Sequence, residues 1–129
     1  MKIYEYSLLQ YQYSSFLGEI INIGIAIYFP ESGKLYFKYP NNLTRLEKLY
    51  PGEINSNYIL ETLSVIEKSC SEVSLIDGHL REILNRILPE DNSALQFGGF
   101  RKSLIYKETE ADIITENSKY YLKYYVNGC

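Results

Sequence analysis

The stretch Tyr6–Tyr39, YSLLQYQYSSFLGEIINIGIAIYFPESGKLYFKY, decides how this chain folds. It reads as three consecutive strands. Residues 3–13 alternate, with Tyr4, Tyr6 and Leu8 on one face and Ile3, Ser7, Leu9, Tyr11 and Tyr13 on the other. Ser14-Ser15 is a short turn, and residues 17–29 form the most β-prone segment. Pro30-Glu31-Ser32-Gly33 closes a hairpin, after which residues 34–39 set Leu35, Phe37 and Tyr39 against Lys34, Tyr36 and Lys38. The expectation is an antiparallel meander with one wet face.

Beyond Pro40 the apolar period lengthens from two to about 3.6 residues. Thr44-Arg45-Leu46-Glu47 has capping-box spacing and opens a short helix, with Leu43, Leu46 and Leu49 on one side, that ends before Pro51. Asn55 or Ser56 caps a longer helix carrying Ile59, Leu63, Ile66 and Cys70. Asp77 caps a third, with Leu80, Ile83, Leu84, Ile87 and Leu88 as its stripe, and Pro89–Ser93 is a loop. Ala94–Phe97 and Ser103–Tyr106 read as two strands around Gly98-Gly99. From Thr109 the pattern fits a helix through Ala111, Ile114, Tyr121, Leu122 and Tyr125, or a strand through Tyr120, Leu122, Tyr124 and Val126. The pair Thr109 and Asp112 at capping spacing favours the helix. The expected architecture is one α+β domain over residues 1–129: an antiparallel sheet of about five strands with three to four helices packed on one face.

Composition narrows the function. Hydrophobic residues make up 46% and charged residues 22% of the 129, a globular balance that supports a core. Net charge is −3, from 13 basic and 16 acidic side chains, which disfavours binding of nucleic acid through non-specific phosphate attraction. The longest apolar run, Ile20–Phe29, is broken by Asn22 and falls short of the roughly 20 residues needed to cross a bilayer. No apolar signal segment follows Met1-Lys2, so a cytoplasmic location is expected, and a disulfide between Cys70 and Cys129 is not. Cys70 reads as a small apolar helix residue and Cys129 as an exposed tail thiol. The 14 tyrosines, without any tryptophan, reflect either an A/T-biased genome with β-propensity or a sticky surface. Lys119–Tyr125 sharpens that choice: a terminal helix packed on the sheet, or a docking surface with tyrosine anchors.

Within the second strand, strict alternation puts Leu17, Glu19, Ile21, Ile23, Ile25, Ile27 and Phe29 on one face and Gly18, Ile20, Asn22, Gly24, Ala26 and Tyr28 on the other. Asn22, Gly24 and Ala26 leave room for a close approach by a helix or a ligand. Glu19 and Asn22 point apart unless a bulge between them turns both to one side.

Tyr6-Ser7 and Tyr11, then Gly18-Glu19-Ile20-Ile21-Asn22-Ile23-Gly24 leading into an apolar strand and a Pro-x-x-Gly turn, resemble a bacterial family catalogued as domain of unknown function three thousand and thirty-seven. The likeness covers about the first 50 residues, with Leu95-Gln96-Phe97 and Arg101 resembling a later sheet segment. The resemblance implies a small stand-alone protein, often encoded beside a HipA-like kinase, with Glu19, Asn22 and Gly24 in the family signature and no assigned activity.

Catalytic constellations are missing from the sequence. His79 is the single histidine, and no C-x-x-C pair offers a thiolate site, so no cofactor or metal is expected. A carboxylate-only Mg²⁺ site from Glu19 with Glu5, Glu53 or Asp77 is not selected by any spacing. The alternative to binding is a small enzyme or nucleotide-binding protein. In that reading Glu19 is acid, base or ligand, and Gly98-Gly99 presents backbone N–H groups to a phosphate, with Arg101 and Lys102 supplying charge. The leading expectation is a non-catalytic binding or regulatory protein that works with a protein partner, in a toxin–antitoxin or defence setting. Glu19, Asn22 and Gly24 form its binding set, and Arg101 and Lys102 its rim.

Overall fold

A computed structural model describes residues 2–14, 19–72, 79–88 and 95–126, and within them the side chains of all but 13, 14, 19 and 123–126. Elements follow in the order β1 (Lys2–Ser14), β2 (Glu19–Phe29), β3 (Lys34–Lys38), α1 (Thr44–Leu49), α2 (Ser56–Ser71), α3 (Leu80–Ile87), β4 (Leu95–Ile105) and α4 (Glu110–Val126). The strands form one antiparallel sheet of order β3-β2-β1-β4. The α+β class and the N-terminal meander are as the sequence predicts. The β2–β3 hairpin turns at Gly33, whose φ of 71° is open to glycine at no steric cost and whose N–H donates to the Phe29 carbonyl at 2.8 Å.

Sheet register explains both the missing fifth strand and the signature. Ser7 pairs with Phe100 and Leu9 with Phe97, so Gly98 and Gly99 together oppose Leu8. These glycines are a bulge inside one continuous β4, where the sequence suggested a turn between two strands. The sheet therefore has four strands among the described residues. On the other side of β1, Leu9 pairs with Gly24 and Gln10 with Asn22, leaving Ile23 as the inserted residue on β2. A further shift between Gln12 and Ser14 inserts Tyr13 on β1.

The Ile23 bulge redistributes β2 between two cores. Ile23, Ala26 and Tyr28 pack with Leu9, Phe37, Leu46, Leu63 and Leu84 beneath α1–α3. Ile25, Ile27 and Phe29 pack with Tyr4, Ile113, Ile114 and Leu122 beneath α4. Strict alternation had put Ile23 with Ile25; the inserted residue reverses its face. Three helices thus share one side, as expected, while α4 takes the opposite side and covers only part of it, leaving Gln10 and Asn22 half-buried there. Each fully buried side chain of this kind stabilises by roughly 1.5–3 kcal/mol.

Helix starts follow the expected local chemistry at α2 and α4 but not at α1, nor at α3, where His79 rather than Asp77 stands at the cap position without a side-chain bond. Asn55 caps α2, its Oδ1 accepting from the Tyr58 N–H at 3.1 Å. The α2 stripe Ile59, Leu63, Ile66 and Cys70 is buried throughout. Thr109 and Asp112 form a reciprocal capping box at 3.2 and 3.1 Å, which settles α4 as a helix. At α1 the expected box is not formed. Thr44 already lies inside the helix, Leu43 stands at the cap position, and the Thr44 N–H donates instead to Asn42 Oδ1 at 3.2 Å. Glu47 accepts from the Ser56 hydroxyl at 2.9 Å, and Leu49 is exposed rather than buried with Leu43 and Leu46. In α3, Leu80, Ile83 and Leu84 are buried and Ile87 and Leu88 half-buried. The Ser14-Ser15 turn, the Asp77 cap, the Pro89–Ser93 loop, Gly18, Ala94 and Cys129 lie wholly or partly outside the described residues. No described helix is long and apolar enough to cross a membrane.

Candidate functional site

The sheet face beneath α4 is where polar groups collect. Along β1, Leu9 belongs to the α1–α3 core and Tyr11 packs against it, so Gln10 projects to the α4 side. Its register partners are Asn22 on β2 and Gln96 on β4, placing three half-buried amides at one level across three strands. Gln10 Nε2 donates to Asn22 Oδ1 at 3.2 Å. The two bulges create this row. One turns Ile23 into the core and leaves Asn22 beside Gln10; the other puts Gly98 where a Cβ would come within 2.6 Å of Gln10 Oε1. Bulges recur where a strand must re-aim a side chain.

Further along the same face the contacts pass to tyrosine hydroxyls. Asn117 of α4 donates through Nδ2 to the Tyr4 hydroxyl at 3.3 Å, the Tyr6 and Tyr121 hydroxyls lie 3.3 Å apart, and the Tyr36 hydroxyl donates to Glu110 Oε1 at 3.3 Å. Burial, then the Tyr6 hydrogen bond, push Tyr121 up to about 12, although Arg101 acts in the opposite sense. Tyr36 is likewise raised, by burial and by the Glu110 carboxylate. Arg101 pairs in register with Tyr6, roughly 13 Å along the strand from Gln10. Tyr120, in T-shaped contact with Tyr121, is 73% exposed.

The residues singled out from sequence divide between the faces. Asn22 and Gly98 meet around Gln10 on the α4 side, and Arg101 lies on that side farther along β4, opposite Tyr6. Gly24 faces the other way, where an added Cβ would meet the Phe37 ring at 2.6 Å and Leu9 Cβ at 3.3 Å, so close packing accounts for a glycine here. Lys102 pairs with Glu5 and alternates away from Arg101. Glu19 opens β2 and its side chain lies outside the described residues. No inserted residue separates it from Asn22 on β2, since the bulge falls one position later. Gly99 has open space, Gly98 gives its carbonyl to the Ser7 hydroxyl at 3.1 Å, and positive φ is confined to Gly33 and Gly52 among the described residues. An anion nest of the αR-αL kind needs a left-handed residue, which neither glycine of this bulge supplies.

Gln10 is the residue of this face that the sequence did not single out, while Gln96 and Tyr121 stood in stretches noted for other reasons. The alternation Leu8-Gln10-Gln12 in a strand already flagged as decisive was the available signal. His79 is exposed at the start of α3 without a side-chain capping bond, Cys70 is buried with its thiol pushed up to about 12 by burial, and no three His, Cys, Asp or Glu side chains converge among the described residues. The amide row can donate and accept hydrogen bonds but does not titrate; Arg101 adds a fixed positive charge. That chemistry suits recognition.

A family model, Protein of unknown function (DUF3037), matches residues 6–115, which spans β1 into α4. The chain belongs to that family. No curated protein and no solved structure matches it.

Proposed function

We propose that this family member is a non-catalytic binding protein that docks a partner protein against the α4-side face of its sheet. The observation that carries the reading is the pair of bulges flanking β1 at Leu8–Gln10, which set Asn22 and Gly98 around Gln10. Two inserted residues disrupt the ladder at one level, and what they produce is a half-open row of amides with Arg101 farther along. Asn22, Gln10 and Gln96 supply hydrogen bonds that fix register and orientation, Arg101 meets a carboxylate, and exposed Tyr120 offers an aromatic anchor. Glu19, three residues before Asn22, stands at the end of the same strand. The family resemblance points to a bacterial toxin–antitoxin or defence setting, with a HipA-like kinase as the partner to try first. The phosphate-binding alternative has less support, because Gln10 occupies the space beside Gly98 and Ser7 takes its carbonyl.

The test is capture of partners from the native host by tagged wild-type protein and by Asn22→Ala, Arg101→Ala and Lys102→Ala. A stoichiometric partner retained by Lys102→Ala and lost by the other two, with unfolding midpoints unchanged, is the expected result. Equal retention by all three variants would refute the assignment to this face, and a wild-type protein that carries a nucleotide rather than a protein would refute the binding reading itself.

A further inference from the structure

The opposite edge of the sheet carries a groove that the reading above does not use. Among the described residues β3 has β2 as its single neighbour, so the outer row of its N–H and C=O groups is unpaired within the sheet as described. Beside that edge lies a groove of about 340 Å³. Its strand wall is the four consecutive residues Leu35–Lys38, and its helix wall is Ser64, Glu67, Lys68 and Ser71 of α2. Consecutive strand residues point to alternate faces, so a groove that touches all four runs along the edge and not over one face. The helix residues recur at i, i+3, i+4 and i+7 and are all exposed, forming one stripe beside the strand. Two of the four are serines, which hold the helix wall back by a side chain's width.

Charge selects the occupant. Lys38 and Lys68 line the groove, Lys34 stands at the other end of β3, and Glu67 is the one acid on the walls. Among the described residues none of these lysines is in an ion pair. In a chain of net charge −3 the groove walls carry two lysines against one glutamate. Lys34 and Lys38 share with Tyr36 the face of β3 turned away from α2, on either side of the Tyr36–Glu110 contact, so carboxylates on alternate residues of an added strand would meet both lysines on that face. A second copy is disfavoured by the same residues: two β3 strands paired antiparallel about a twofold axis would set Lys34 of one against Lys38 of the other.

We propose that an extended acidic segment of a partner protein lies antiparallel to β3 in this groove and adds a strand to the sheet. Main-chain hydrogen bonds to β3 supply affinity, and the lysines supply the preference for acidic side chains. The two lysines that would deter a neutral or basic strand from this edge are what admit an acidic one.

Fluorescence anisotropy with a labelled octapeptide of alternating glutamate and valine tests this. Binding should weaken as salt rises, and should fall by at least about tenfold when every second peptide nitrogen is methylated, when lysine replaces glutamate, or in the protein variant Lys34→Glu/Lys38→Glu. Amide NMR shifts should concentrate at residues 34–38 and 64–71. Absence of binding by the glutamate peptide, equal binding of the methylated peptide, shifts centred on β4 at residues 95–105, or self-association of the protein through β3 would each overturn the proposal.

Discussion

The two faces of this sheet are closed by different physics. Under α1–α3, Leu9, Ile23, Tyr28, Phe37, Leu63 and Leu84 are buried to 4% exposure or less and pack as a continuous apolar layer. Under α4 the apolar layer is smaller, and Tyr4, Tyr6 and Tyr36 join the helix through hydroxyl contacts at 3.3 Å, giving way to the amides of Gln10 and Asn22. Apolar packing is strong because it is dense and intolerant of change. Half-exposed polar contacts contribute less apiece and can be exchanged for contacts with a partner. On the proposed reading stability and recognition need not compete for the same residues, since one strand would serve both through its alternating side chains.

Four single substitutions, and one double variant, break or sharpen that contrast. Leu63→Ala, on the sealed face, should cost about 2–5 kcal/mol in urea-induced unfolding, from lost burial and the cavity left behind. Gly24→Ala should cost about 1–3 kcal/mol, because the new methyl meets a ring held inside the core. Combined with Phe37→Leu, its cost should fall below the sum of the single changes, which a double-mutant cycle reads directly.

Tyr6→Phe, on the other face, should cost only about 0.5–1.5 kcal/mol. It should also move the Tyr121 titration, followed by phenolate absorbance, down from about 12 towards the ordinary 10.0, since the Tyr6 hydrogen bond is one of the contributions that raise it. With a folded-state value above the unfolded one, Tyr121 stabilises the wild type fully below pH 10 and loses that contribution as pH climbs to about 12. The smallest stability effect belongs to Gly98→Ala, expected at under about 1 kcal/mol. The predicted clash is 2.6 Å at both glycines, but at Gly98 it falls on the free end of Gln10, which can swing away. Displacement of Gln10 should appear as altered side-chain amide resonances of Gln10 and Asn22 and as weakened partner capture with the fold intact.

Much of this was legible from residue order. The Pro30–Gly33 turn, the Asn55 cap, the α2 stripe and the Thr109–Asp112 box are local devices, in which residues a few positions apart satisfy one another. Asn22 stood out because a polar side chain interrupts an apolar strand. Its partner did not, because Gln10 reaches Asn22 only through a β1–β2 register that skips Ile23. Gly98-Gly99 shows the same limit: two glycines permit a turn or a bulge equally well, and the choice depends on the strand alongside.

By itself the sequence determined the N-terminal meander, the helical nature of α1–α3 and the caps of α2 and α4, because periodicity and capping act within a few residues of chain. Tertiary structure decided which side α4 covers, that β4 is one strand, and which faces Asn22 and Gly24 serve. Those outcomes depend on pairing between segments far apart in sequence, where a single inserted residue reverses the face of every side chain beyond it.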